Sequence, residues 1–156
     1  MAEIDRSLIG AWAAPFVVEV EKGAIRRFAD AIGDPNPLYR DEDYARRHGY
    51  ASLLAPPTFP ISFRPPKEPE WSVHLDRRRI LAGEMSFAYT RPVVAGMVLE
   101  CRVQFVGVED KQGRKGRMEL MLQEMTGVDA KLGTIFTHRR TTVYRSLEQV
   151  ERRSLA

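Results

Sequence analysis

Apolar residues recur along this chain with two different periods, and the change of period divides it into a helical first part and an extended second part. Phe16-Val-Val-Glu-Val20 reads as an opening strand. Between Lys22 and Ile32, the residues Ile25, Phe28, Ala29 and Ile32 fall at i, i+3, i+4 and i+7, which is one face of a helix, and Gly33 follows as its stop. Asp41 to His48 predicts a second, short helix. Its acids Asp41, Glu42 and Asp43 lie in the first turn, its bases Arg46, Arg47 and His48 in the last, and each charge complements the helix dipole. Ala55-Pro56-Pro57 then forces an extended approach to Thr58, which starts a brief helix through Ser62. Pro65, Pro66 and Pro69 close that helix, and Pro65 to Asp76 predicts a surface loop or flap.

From Gly83 the period becomes two. Gly83–Tyr89, Met97–Glu109, Arg117–Thr126 and Leu132–Arg145 all read as strands, with Cys101, Val103 and Phe105 alternating with Arg102 and Gln104 as one buried face requires. The connectors are short and rich in glycine and charge, which suits antiparallel hairpins. The run from Gly113 to Gly116 is one of these hairpin turns; it lacks the spacing and the following helix of a phosphate loop. Helices early and a long antiparallel meander late make the class α+β: one curved sheet with helix on one face.

Composition narrows the function classes. At 156 residues the chain is expected to form a single domain, 1–156, large enough for a real core. No apolar run approaches the roughly 20 residues needed to cross a bilayer, so no membrane partner is expected. The opening MAEIDRSLIGAW places an acid before its first base, unlike a cleavable signal, and Cys101 is the sole cysteine. A cytoplasmic location is the expectation. The net charge of +3 is spread among interleaved acids and bases with no aromatic-basic platform, which argues against a nucleic-acid partner. No ligand cluster for a metal or redox cofactor is visible, so none is expected.

The chemistry concentrates between Phe28 and Phe59. There a carboxylate and an amide, Asp34 and Asn36, sit on a connector between two helices, a placement that favours a site. Taken alone, Asp-Pro-Asn-Pro is a turn that needs no chemistry. With its surroundings it resembles more. Gly33-Asp-Pro-Asn-Pro-Leu-Tyr39 is similar to the G-D-x-N-P-x-H signature of MaoC-type (R)-specific enoyl-thioester hydratases and hydroxyacyl dehydratases. IGDPNPLYRDEDYAR, GY…LLAPPTF and LAGEMSFAYTRPVVAGMVL resemble, in order, the FAS1-like dehydratase N-terminal branch, which includes the mycobacterial hydroxyacyl-ACP dehydratase subunits. The likeness spans Phe16 to Arg145.

That resemblance implies a hot-dog fold, an antiparallel sheet wrapped around a central helix, with two such folds pairing as a homodimer or heterodimer. It implies reversible addition of water to a trans-2-enoyl thioester, with a CoA or acyl-carrier thioester as substrate handle. Such chemistry needs a base of matched pKa beside an oxyanion site. Carried over by position, Asp34, Asn36 and Tyr39 form the candidate catalytic set. Pro57, Thr58 and Phe59 form the candidate substrate-binding segment, with backbone N–H near Thr58 as oxyanion donor. Tyr39 stands where the signature has histidine, and a phenol is a poor base at neutral pH. Ala82 and Met85 depart from a His-Gly-Glu-Gln motif that related sequences carry. Two readings follow: a self-sufficient hydro-lyase using Asp34, or a binding half whose partner chain supplies the Asp/His pair. A hot-dog thioesterase is disfavoured, because Thr58–Arg64 contains no carboxylate. Of the histidines, His48 suits a helix C-terminus, His74 follows the proline-rich loop toward a cleft, and His138 is expected on the solvent side of its strand. Arg77, Arg78 and Arg79 form the densest basic cluster, suited to a solvated face or to docking an acidic carrier.

Overall fold

Five strands form one antiparallel sheet in the order β1-β3-β4-β5-β2, with β1 Phe16–Glu19, β2 Ile80–Tyr89, β3 Val98–Gly113, β4 Gly116–Asp129 and β5 Gly133–Arg145. The computed structural model describes residues 3–114 and 116–146. The predicted strands all appear; β3 and β4 run longer than the alternation alone implies because their pairing continues to Gly113↔Gly116, and β2 because its pairing with β5 starts at Ile80↔Tyr144. The helices are α1 Lys22–Ala31, α2 Glu42–Arg47 and α3 Glu70–Val73. The last lies inside the segment read as a loop, a four-residue turn of helix that proline spacing concealed. The result is the expected α+β hot-dog arrangement.

Strand parity decides what lies inside. In β3 the odd residues Leu99, Cys101, Val103 and Phe105 are buried. A bulge between Phe105 and Gly107 then shifts the register by one, so that Val108 pairs with Met121 and packs on the core. β4 alternates throughout, burying Glu119, Met121, Gln123, Met125 and Gly127. β5 buries Phe136, His138, Thr142 and Tyr144. The filling of the roll is shared between α1, through Ile25 and Ala29, and the proline-punctuated segment after it. Phe28 meets Phe59 edge-on at 5.4 Å, Phe59 meets Phe63 at 5.3 Å, and Phe63 meets Phe136 of β5 at 5.8 Å. Farther along, Trp71 of α3 stacks on Phe105 at 5.5 Å. These contacts bury large aromatic area and fix geometry as well.

His138 corrects one expectation. It is 7% exposed and faces the interior, its ring stacked on Phe87 of β2 at 4.5 Å. Its parity is that of Phe136 and Tyr144, both buried, whereas Arg139 is exposed and pairs with Glu124. The polar run Thr-His-Arg-Arg-Thr hid that parity, because both inward positions in it, His138 and Arg140, are polar.

Two outcomes test this packing. A Cβ at Gly127 would lie 2.1 Å from Cε1 of Phe136, whereas one at Gly107 meets nothing within 4 Å. Gly127→Ala is therefore expected to lower stability by about 1–3 kcal/mol through overpacking, and Gly107→Ala to stay within about 1 kcal/mol of the parent, as measured by urea unfolding. Burial, reinforced by the charge of Arg140, holds the His138 ring below its ordinary pKa of 6.5. The unfolded chain then binds a proton that the folded chain resists. The contribution of the neutral ring is complete above pH 6.5 and is lost as pH falls below it, at up to about 1.4 kcal/mol per pH unit. Unfolding free energies at pH 7.5 and pH 5 should show this loss in the parent and a smaller one in His138→Gln.

Candidate functional site

The connector after α1 is built by its own side chains. Gly33 ends the helix with φ +68, a left-handed conformation that glycine takes without strain. The Asp34 N–H donates to the Ala29 carbonyl at 3.0 Å, and the Asp34 carboxylate accepts from the Asn36 N–H at 3.0 Å. Asn36 in turn accepts from the Leu38 N–H at 3.0 Å, capping the 3-10 turn Pro37–Tyr39. Arg40 donates to the Asp34 carbonyl at 2.9 Å and forms an ion pair with Asp30. Asp34 and Asn36 remain half-buried, so the turn leaves both residues partly open to solvent.

Tyr39 is the buried member of the set. It is 6% exposed and belongs to the hydrophobic core. Burial, followed by the neighbouring Asp34 carboxylate, raises its phenol above the ordinary value. No hydrogen bond joins a histidine to Asp34 or Asn36 among the described residues. His48 is exposed, stacked on Tyr44 at 4.1 Å with Nδ1 on the Tyr44 carbonyl at 2.8 Å, the end-of-helix role expected of it. His74 is exposed at the C-terminus of α3.

Pro57 and Thr58 are exposed while Phe59 is buried in the aromatic series. The Phe59 N–H donates to the Pro56 carbonyl at 2.9 Å, so it is already committed. The Tyr89 hydroxyl of β2 donates to the Pro57 carbonyl, tying this segment to the sheet edge.

A cavity of about 690 Å³ lies between the inner face of the sheet and the segment Ile61 to Arg77, a volume usual for a small-molecule site. Ile61, Phe63, Val103, Met121 and Met125 give it apolar walls, and Gln123, His138, Arg140 and Thr142 give it a polar stripe. None of the six residues predicted from the sequence lines it. Two contacts join them to its wall, Phe59 against Phe63 and the Ile61 N–H donating to the Thr58 carbonyl at 3.1 Å. The stripe was missed because its members share a strand face but no sequence motif; extending the parity of Phe136 and Tyr144 along β5 would have found it.

The arginine cluster does not act as one patch. Arg79 is 4% exposed, holds Glu3 through two bonds of 2.5 and 2.6 Å, donates to the Arg145 carbonyl at 2.6 Å and lies 4.2 Å over the Tyr144 ring. Arg78 pairs with Asp76, whose carboxyl it pushes down to about 2. Arg77 pairs with Glu68 at 3.0 Å. Among the described residues no group of three or more metal-ligating side chains occurs, and no helix is long and apolar enough to cross a membrane.

Comparison with known proteins agrees with this fold. The model of the "FAS1-like, dehydratase domain region" matches residues 7–137. A UPF0336 protein of Thermobifida fusca is 40% identical over 119 residues, covering 72% of this chain and 77% of that one. Another from Saccharopolyspora erythraea is 35% identical over 136 residues, covering 82% and 84%. Among solved structures, a MaoC-like dehydratase superposes with a TM-score of 0.74 at 22% identity over 91% of this chain, which spans 43% of that longer one. The HadBC (3R-hydroxyacyl-ACP dehydratase) complex of Mycobacterium tuberculosis gives 0.69 at 22% identity, covering 87% of this chain and 96% of that one. The fold is theirs, and by the extent of the family match the chain belongs to the FAS1-like dehydratase domain family.

Proposed function

We propose that this chain is the acyl-binding half of a dehydratase that interconverts (3R)-hydroxyacyl and trans-2-enoyl thioesters, completed by a second hot-dog chain that supplies the catalytic histidine. The observation that carries the reading is Tyr39. The residue at the signature's histidine position is sealed in the core with its phenol pKa raised, so it cannot take a proton from water at neutral pH. Asp34 keeps a half-buried carboxylate on a fixed turn, able to orient a water or a partner residue. The acyl group occupies the cavity beneath the sheet, and the thioester carrier, CoA or an acyl carrier protein, stays outside as a handle.

The docking edge for the partner is β2. It is an outer strand of ten residues, with Leu81 41%, Met85 38% and Tyr89 37% exposed. An edge this long and apolar is usually paired or shielded. Two structures of similar fold, the ChsH1-ChsH2 complex and HadBC, are of complexes named for two components each, which is consistent with a hot-dog partner here.

The test is hydration of trans-2-enoyl-CoA, followed by loss of enoyl-thioester absorbance. The purified chain alone is expected to show no turnover. A MaoC-type chain with an intact G-D-x-N-P-x-H, drawn from the same genome, should restore it on mixing. Turnover by the chain alone that disappears in Asp34→Ala would replace this reading with the self-sufficient enzyme. Ala88→Lys, which places a charge on the exposed β2 edge, should weaken the two-chain complex at least tenfold in sedimentation while leaving this chain folded.

A further inference from the structure

We infer that the cavity takes a ligand with an apolar chain and a carboxylate, the carboxylate seated on Arg140 with Arg64 beside it and the Nε2 of His138 in reach. The inference rests on the reading above only in taking the cavity for the acyl chamber; its binding chemistry needs no turnover.

The charges around the cavity do not balance. Three guanidiniums line it, from Arg64, Arg77 and Arg140, against one carboxylate, Glu68, and Glu68 is engaged by Arg77. Arg140 donates to the neutral Gln123 amide at 2.8 Å and forms no ion pair among the described residues. Its neighbour on the opposite face, Arg139, pairs with Glu124 at 2.5 Å. Burial, then the repulsion of Arg64, lowers the Arg140 pKa, and the charge of an anion beside the guanidinium would offset both. Arg140 is half-buried, and a cation taken partly out of water is normally paired.

His138 provides a second, independent sign. It lines the same cavity at 7% exposure, and its Nε2 is buried without a hydrogen-bond partner among the described residues. Buried polar atoms are seldom left so. A carboxylate oxygen would satisfy Nε2–H and the guanidinium together. The walls of Ile61, Phe63, Val103, Met121 and Met125 suit a hydrocarbon chain and would not hold a small, fully hydrated anion. A plain alkyl tail would leave the polar stripe unsatisfied. The combination selects a chain with a charged end.

Calorimetric titration of the whole chain with sodium decanoate and with 1-decanol tests this. Decanoate is expected to bind at least tenfold more tightly than the alcohol. Arg140→Met should abolish that preference and Arg140→Lys should keep part of it. Equal binding of the two probes, no binding of either, or an undiminished preference in Arg140→Met would overturn the inference. Should Arg140→Met not fold, histidine-labelled parent protein decides the matter. Decanoate should move the nitrogen resonances of His138 but not those of His48 or His74, and an unmoved His138 signal overturns the inference. The source of the carboxylate is read from a second pair, decanoyl-CoA against the CoA monothioester of decanedioic acid. Tighter, Arg140-dependent binding of the diacid thioester assigns the carboxylate to the far end of an acyl chain. No difference between the thioesters, with decanoate still bound, assigns it to a free fatty acid. Failure of enoyl-CoA hydration with the partner present, while decanoate binds as expected, would remove the dehydratase reading and leave this one standing.

Discussion

A curved sheet has to close on something, and here it closes on a line of aromatic edges. Phe28, Phe59, Phe63 and Phe136 touch in succession, and the line runs from α1 through a proline-fixed turn to β5. It ties the end of α1, and hence the Asp34 turn, to the sheet. It also sets the height of the following segment, which Trp71 pins again on Phe105. Between those two attachments the segment stands away from β2 to β5, and the space beneath it is the cavity. The proline spacing that shortens the helices therefore makes room that one continuous helix would fill.

What borders that space follows from strand parity. The inward face of β4 and β5 presents Gln123, His138, Arg140 and Thr142 beside Met121 and Met125. Each of these polar groups loses water on folding, and each must find a partner or cost stability. Gln123 and Arg140 find one another at 2.8 Å. His138 finds none for its Nε2 among the described residues, and burial lowers its pKa. The molecule thus retains a polar stripe in an otherwise apolar chamber, an arrangement better suited to recognising a ligand than to maximising stability.

Much of this was legible in the sequence, and the gaps share one cause. The helix at Lys22, the turn of Asp34 and Asn36 and the hairpin at Gly113 are local, so neighbouring residues specify them and the sequence shows them. His138 was misread because inside or outside is a property of the whole sheet, and a bulge or a polar inward position removes the local signal. Arg79 shows the same limit. In sequence it belongs to a basic cluster, but it is buried against Glu3, 76 positions away. The cavity joins residues from β2, β3, β4, β5 and the proline-rich segment, and no single stretch of sequence contains it. The family motif was visible because it is contiguous, and for that reason it directed attention to the turn and away from the chamber.

The exchange of histidine for tyrosine at position 39 has a physical meaning beyond the loss of a base. The site is buried and lies close to the Asp34 carboxylate. For an imidazole those two influences oppose one another, since burial disfavours the cation and the carboxylate favours it. For a phenol the charged form is an anion, and both influences disfavour it. The same pocket that would pull a histidine both ways pushes a tyrosine in one direction, away from its charged form. In the two-chain reading proposed above, Tyr39 fills a core position beside the Asp34 turn and the catalytic base comes from the partner. A second chain that brings its own base would find the turn already formed.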